Sequence, residues 1–178
     1  MKRKWNNYLN KNKPGLFDCQ LVSTLNAYYY LTGKIWCKQD SEEYERLIEV
    51  CKCRYGAAIS IEKIHKIMGI KVIGYSNSIH FPEWTKKHQS YPQKKKPRLL
   101  NINPKQILPL PIEASIWHKR YGFHSVLIVD QCLKTDCLRI TNFEWATSQQ
   151  GWLFKEDMYQ FDRINNPDMW SYRLLGMT

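Results

Sequence analysis

Hydrophobic positions follow two different spacings along the 178 residues of the chain. Toward the front they recur every three or four positions, as on one face of a helix. Toward the back they alternate or cluster in short runs, as in strands. Leu21, Val22, Leu25, Tyr28, Tyr29 and Leu31 keep helical spacing. They predict a central, largely buried helix from Cys19 to about Leu31, with Asp18 as N-cap and Thr32-Gly33 as its stop. A second helix is predicted from Asp40, which has capping-box spacing to Glu43, to about Cys53 ahead of Gly56. A third, Ser60 to Met68, aligns Ile61, Ile64, Ile67 and Met68 and stops at Gly69. His65 lies beside that apolar face and reads as a surface or packed histidine rather than a ligand.

Strand patterns follow at Ile70 to Tyr75 and Leu110 to Trp117. The run Val126 to Val129, entered through Gly122, is too short for a lone helix and rich in β-branched residues. Another strand, Cys137 to Phe143, comes after a polar turn around Lys134-Thr135-Asp136. Gly151 to Phe154 is a short strand, Lys155 to Phe161 a brief helix, and Trp170 to Leu175 a closing strand. Asn10 to Gly15 reads as a loop, and Ser76 to Gln106, broken by four prolines, as a long surface excursion. Helices first and antiparallel strands afterwards give an α+β arrangement, with N-terminal helices packed on an antiparallel sheet in a single domain, 1–178.

Composition adds constraints rather than a function. Apolar residues make up 43% of the chain and aromatics 13%, which excludes a disordered polymer. No uninterrupted apolar window is long enough for a membrane span, and the basic N-terminus is not followed by an apolar signal core. A cytoplasmic location, or association with a virion, is the resulting expectation. The net charge of +11 favours acidic partners. Part of it lies in Lys86-Lys87-His88 and in Lys94-Lys95-Lys96-Pro97-Arg98, near Phe81, Trp84 and Tyr91. That leaves nucleic-acid contact open, but no helix-turn-helix, zinc-finger or RNA-recognition motif favours it.

The six cysteines, at 19, 37, 51, 53, 132 and 137, read mostly as reduced, small core residues. Cys51-Lys52-Cys53 on a helix would aim its thiols in different directions, a poor zinc geometry. Cys132 and Cys137 flank a predicted hairpin turn, where a disulfide or half a metal site stays open. No set of ligands has metal spacing, and no cofactor is implied.

Cys19 is different, because it opens a helix after a loop. The helix dipole and the unpaired N–H groups there predict a lowered thiol pKa. His124 enters a buried strand, and Asn142 lies on the next one. An imidazole facing an amide carbonyl is held in one tautomer, as a general base requires. Asp130, on the His124 face but ~20 Å along the strand, is a poorer orienting group.

Asp18-Cys19 opening a long helix, Gly122-Phe-His124-Ser-Val-Leu-Ile-Val and Ile140-Thr-Asn142-Phe together resemble the papain-like cysteine peptidase fold. The Asp-Cys doublet is most similar to bacteriocin-processing and related bacterial or phage peptidases. The segment from Asn142 through Trp145 to Gly151-Trp-Leu-Phe also resembles the part of that family in which a tryptophan shields the site. The resemblance implies Cys19 as nucleophile, His124 as general base and acid, Asn142 as orienting residue and Trp145 as shield. It further implies a protein or peptide substrate, acidic in view of the chain's charge. The family places a glutamine about six residues before the cysteine, where this chain has Lys13. Asn12, Lys13 and Gln20 are the candidate oxyanion donors, beside the Cys19 backbone N–H. Three functions fit: a cysteine peptidase or isopeptidase, an acyltransferase or deamidase using the same thiol, and a papain-like scaffold that binds without catalysis.

Overall fold

The structure, a computed structural model, describes residues 8, 15–54, 61–76, 98–99, 107–118, 122–132, 137–141, 152–154 and 171–178. Helix α1 spans Cys19–Thr32 and stops where Gly33, at φ 71°, turns left-handed and donates its N–H to Tyr29 O at 2.8 Å. A left-handed residue at that position suits glycine, which has no Cβ to clash. The predicted bounds therefore hold to within a residue.

Helix α2, Glu42–Val50, corrects two expectations. Its cap is Ser41, whose Oγ accepts the Tyr44 N–H at 3.2 Å, while Asp40 sits before it at φ 66°. It also ends earlier than predicted. Lys52 adopts φ 54° and Cys53 donates its N–H to Ile48 O at 3.0 Å, so Cys51 and Cys53 lie in the turn beyond the helix, both buried. Helix α3 spans Ile61–Ile67, one residue short of the predicted Met68, and the turn after it carries Gly69 at φ 64°, the predicted stop.

Among the described residues seven strands form one sheet: β1 (Ile70–Ser76), β2 (Arg98–Leu99), β3 (Ile112–His118), β4 (Gly122–Cys132), β5 (Cys137–Thr141), β6 (Trp152–Phe154) and β7 (Ser171–Met177). Their order is β2-β1-β7-β3-β4-β5-β6, antiparallel throughout except for the parallel pair β1–β2. The α+β class with an antiparallel sheet is thus present. The predicted excursion from Ser76 to Gln106 contributes β2, and the rest of it lies almost wholly outside the described residues, as does the predicted helix from Lys155. The last strand, β7, returns between β1 and β3, so the sheet's middle joins the two ends of the chain's second half.

Side chains alternate between the two faces of the sheet. Leu127, Val129 and Leu175 share one buried cluster with Leu21, Val22, Leu25 and Ala27 of α1, Tyr44, Leu47 and Ile48 of α2, and Ile64 of α3. The helices therefore cover this face. Each large aliphatic side chain buried there contributes about 1.5–3 kcal/mol relative to exposure. Ile112, Ala114, Val126, Ile128, Ile140, Tyr172 and Leu174 alternate onto the other face and are also buried. Between Ile128 and Asp130 the β4–β5 register shifts, leaving Val129 as an extra residue in the ladder. No helix among the described residues is long and apolar enough to cross a membrane.

Candidate functional site

The first turn of α1 packs against β4. Register pairs Leu127 of β4 with Thr141 of β5, and the described pairing goes no further toward Gly122. Beyond that point α1 supplies the partners. Ser23 Oγ donates to the Ser125 carbonyl at 2.8 Å, and the Ser125 N–H hydrogen-bonds the Cys19 thiol. Cys19 and Ser23 stand one helical turn apart on the same face, so one helix edge serves both backbone groups of one strand residue.

His124, half-buried, is the residue preceding Ser125, opposite Ile116 in the register with β3. Alternation gives Ser125, Leu127 and Glu113 to the helix-covered face, and His124, Val126 and Ile128 to the other. The thiol and the imidazole therefore approach β4 at neighbouring residues, one from the α1 side and one from the far face. Gln20 is half-buried in α1, and it is its backbone N–H that faces the Cys19 sulfur. Asn12, Lys13, Asn142 and Trp145 lie outside the described residues. Cys132 and Cys137 are direct register partners on β4 and β5.

Burial decides the state of the thiol. Cys19 is half-buried as a residue, yet desolvation is the largest influence on its sulfur and pushes its pKa up to about 11. The Ser125 N–H draws it down, the Asp18 charge raises it, the Gln20 N–H lowers it and Glu113 raises it again. The helix terminus was expected to favour thiolate. Its N–H groups do act in that direction, but desolvation and two nearby carboxylates outweigh them.

Asp18 departs from its expected role in the same way. It occupies the N-cap position of α1, but its side chain makes no cap bond. Fully buried, it accepts the Tyr44 hydroxyl at 2.6 Å through Oδ2. Burial and then the Asp18 charge drive the Tyr44 phenol far above its ordinary value. Cys53 is pushed up to about 12, first by burial and then by the charges of Cys51, Asp18 and Cys19. The turn that carries Cys53 is tied directly to the segment before Cys19, since Phe17 N–H donates to Cys53 O at 2.8 Å.

Behind the thiol lies a group of charges that sequence spacing does not reveal. Glu113 of β3 accepts from Arg173 of β7 at 3.3 Å, and its other oxygen lies 2.8 Å from His65 Nε2 of α3. All three side chains are at most 5% exposed. Burial alone would raise the Glu113 carboxyl, but Arg173 and then His65 prevail and hold it below the ordinary range. His65 is thus a packed histidine, as its position beside the apolar face of α3 suggests, with an acidic partner 48 residues away. The sign of this group in the sequence is a single glutamate between Ile112 and Ala114 of a largely apolar strand, where a buried charge requires a partner. Among the described residues no group of three or more histidine, cysteine or acidic side chains is arranged to hold a metal ion.

Comparison with known protein families, with characterised proteins and with solved structures finds no match to this chain.

Proposed function

We propose that the chain is a thiol-dependent amide hydrolase of papain-like architecture, a cysteine peptidase or isopeptidase. The observation that carries this reading is the Cys19 sulfur at a helix N-terminus, hydrogen-bonded to the backbone of Ser125, the residue next to His124. The roles follow from chemistry. The sulfur attacks the carbonyl carbon of a peptide or isopeptide bond while His124 takes its proton. The same imidazolium protonates the leaving amine, and water then hydrolyses the thioester. Asn142 orients the ring, and Trp145 shields it. The developing oxyanion is served by the Cys19 and Gln20 backbone N–H groups at the start of α1, with Asn12 and Lys13 as further donors. Burial raises the Cys19 thiol and so disfavours a resting thiolate, which leaves removal of its proton to the base. The net charge of +11 favours an acidic protein or peptide substrate.

The raised thiol also supports a second reading, a papain-like body that binds a partner, in a virion or elsewhere, without catalysis. A peptidyl vinyl sulfone separates the two, because its addition to a thiol needs the assembled site. On the first reading it modifies Cys19 in the native protein, at least a hundredfold faster than in His124→Ala, and Cys19→Ala abolishes hydrolysis of an acidic peptide library. Equal modification in both proteins, with no hydrolysis lost in Cys19→Ala, leaves the binding reading alone.

A further inference from the structure

The hairpin of β4 and β5 carries two registers. On the Gly122 side of Val129 the strands pair Leu127 with Thr141 and Ile128 with Ile140. Beyond it Asp130 meets Arg139, Gln131 meets Leu138 and Cys132 meets Cys137. The extra residue is what brings the two cysteines level. Were the first register continued, Cys137 would stand opposite Gln131, and the two cysteines would fall on opposite faces of the sheet. Directly opposite residues of an antiparallel pair have Cα atoms about 4.5 or 5.5 Å apart, according to their place in the hydrogen-bond pattern. Both separations lie inside the range of about 4.4–6.8 Å that a disulfide spans. Burial also falls off toward this end of the hairpin. Val126 to Val129, Ile140 and Thr141 are buried, while Asp130, Gln131 and Arg139 are half-buried. The other four cysteines, Cys19, Cys37, Cys51 and Cys53, carry free thiols.

We propose that Cys132 and Cys137 are a redox site, a cross-strand disulfide that closes the β4–β5 hairpin and fastens its register beyond the bulge. Two cysteines are half a zinc site but a complete set for this bond. The oxidant is a small disulfide of the glutathione class. One protein thiolate attacks a sulfur of that reagent, forms a mixed disulfide and releases one small thiol. The second attacks the protein sulfur of the mixed disulfide and releases the other. Two protein thiols and one small disulfide thus give one protein disulfide and two small thiols. Two electrons pass from the cysteines to the reagent, and the two protons of the protein thiols end on the thiols released. Strand β4 carries Ser125 and His124 toward its other end, so a fastened hairpin also steadies the strand against which α1 packs. The inference rests on the register alone and is independent of the proposed hydrolysis.

The test is peptide mapping of the folded protein after equilibration with oxidised or with reduced glutathione. Remaining thiols are trapped with N-ethylmaleimide, and the chain is digested with trypsin without reduction. Trypsin cuts after Arg120, Lys134 and Arg139, so Cys132 leaves on Tyr121–Lys134 and Cys137 on Thr135–Arg139. After oxidised glutathione the two peptides should run as one species, lighter than their sum by two hydrogens. After reduced glutathione each should carry one maleimide. The oxidised protein should melt about 4–9 °C above the reduced one, as closing so short a loop in a chain of this size predicts. Cys132→Ser should abolish that difference, and Cys137→Ser serves the same comparison if the first variant does not fold. Separate peptides after oxidation overturn the proposal, as does linkage of either cysteine to any of the other four. Linkage that appears only after unfolding in urea overturns it too, because the native register is then not what joins the thiols. A melting temperature indifferent to redox state overturns the fastening.

Discussion

Two clusters of ionic groups, one at the surface and one in the interior, use the same chemistry to different effect. Beside α2, Arg54 contacts Glu45 at 2.7 Å and Glu49 at 3.3 Å, with side chains 46–60% exposed. Inside, Arg173 and His65 contact Glu113 at no shorter distances, with side chains at most 5% exposed. Separation is therefore not what distinguishes them. The surface groups exchange one hydrated state for another, whereas the interior group has surrendered its water and depends wholly on its partners. Breaking the first returns ions to solvent. Breaking the second strands a charge.

That contrast orders the expected effects of substitution. Glu113→Ala should cost about 3–5 kcal/mol in urea unfolding, because it leaves Arg173 buried without its counter-charge. A loss below 1 kcal/mol would erase the distinction between the two clusters. Acid should act next. The Glu113 carboxyl is held below its ordinary value of 4.5, so its stabilisation is complete above that pH and is lost as pH falls through the lower folded value. In Glu113→Gln the unfolding midpoint should depend less on pH below about 4.5 than in the native protein. At the other end of the scale, the thiols of Cys19 and Cys53 are raised from 9.0 to about 11 and about 12. Stability linked to them is complete below 9.0 and is lost as pH rises through the folded values, so Cys53→Ala should unfold at higher alkaline pH unless the cavity it leaves dominates. A neutral-pH melt of that variant measures the cavity alone. Ser41→Ala removes the α2 cap and should cost about 1 kcal/mol. Arg54→Ala should leave the melting temperature within experimental scatter, and a clear drop there would break the comparison from the other side.

The helical bounds of α1 and α3 were legible because glycine stops and apolar spacing coincide at Gly33 and Gly69. At α2 two candidate caps adjoin, and pattern alone selected Asp40 where the backbone selects Ser41. Asp40 is turned to φ 66°, which removes it from the cap position. The Cys51–Cys53 turn was absorbed into the helix for the same reason: nothing apolar marks where α2 ceases. The strands of the second half were legible as runs, but not their order. It takes the return of β7 between β1 and β3 to bring Arg173 to Glu113, 60 residues apart. In the site, sequence picked out Cys19 by its place at a helix start. What it could not supply was the balance at the sulfur, because desolvation and the Asp18 and Glu113 charges come from packing. Asp18 itself was legible as the residue before the helix, but its turn inward to Tyr44 depends on α2 lying across that end.

Asn26, midway along α1, holds Tyr8 by both backbone groups: its Oδ1 accepts the Tyr8 N–H at 3.2 Å and its Nδ2 donates to the Tyr8 carbonyl at 3.1 Å. Phe17, nine positions further on in sequence, is tethered in turn through its own N–H to Cys53. An amide in the body of the helix thus acts as a cleat for the stretch of chain that leads into the thiol. Shortening that one side chain would slacken the approach to Cys19 from a distance, without altering any atom that touches the sulfur.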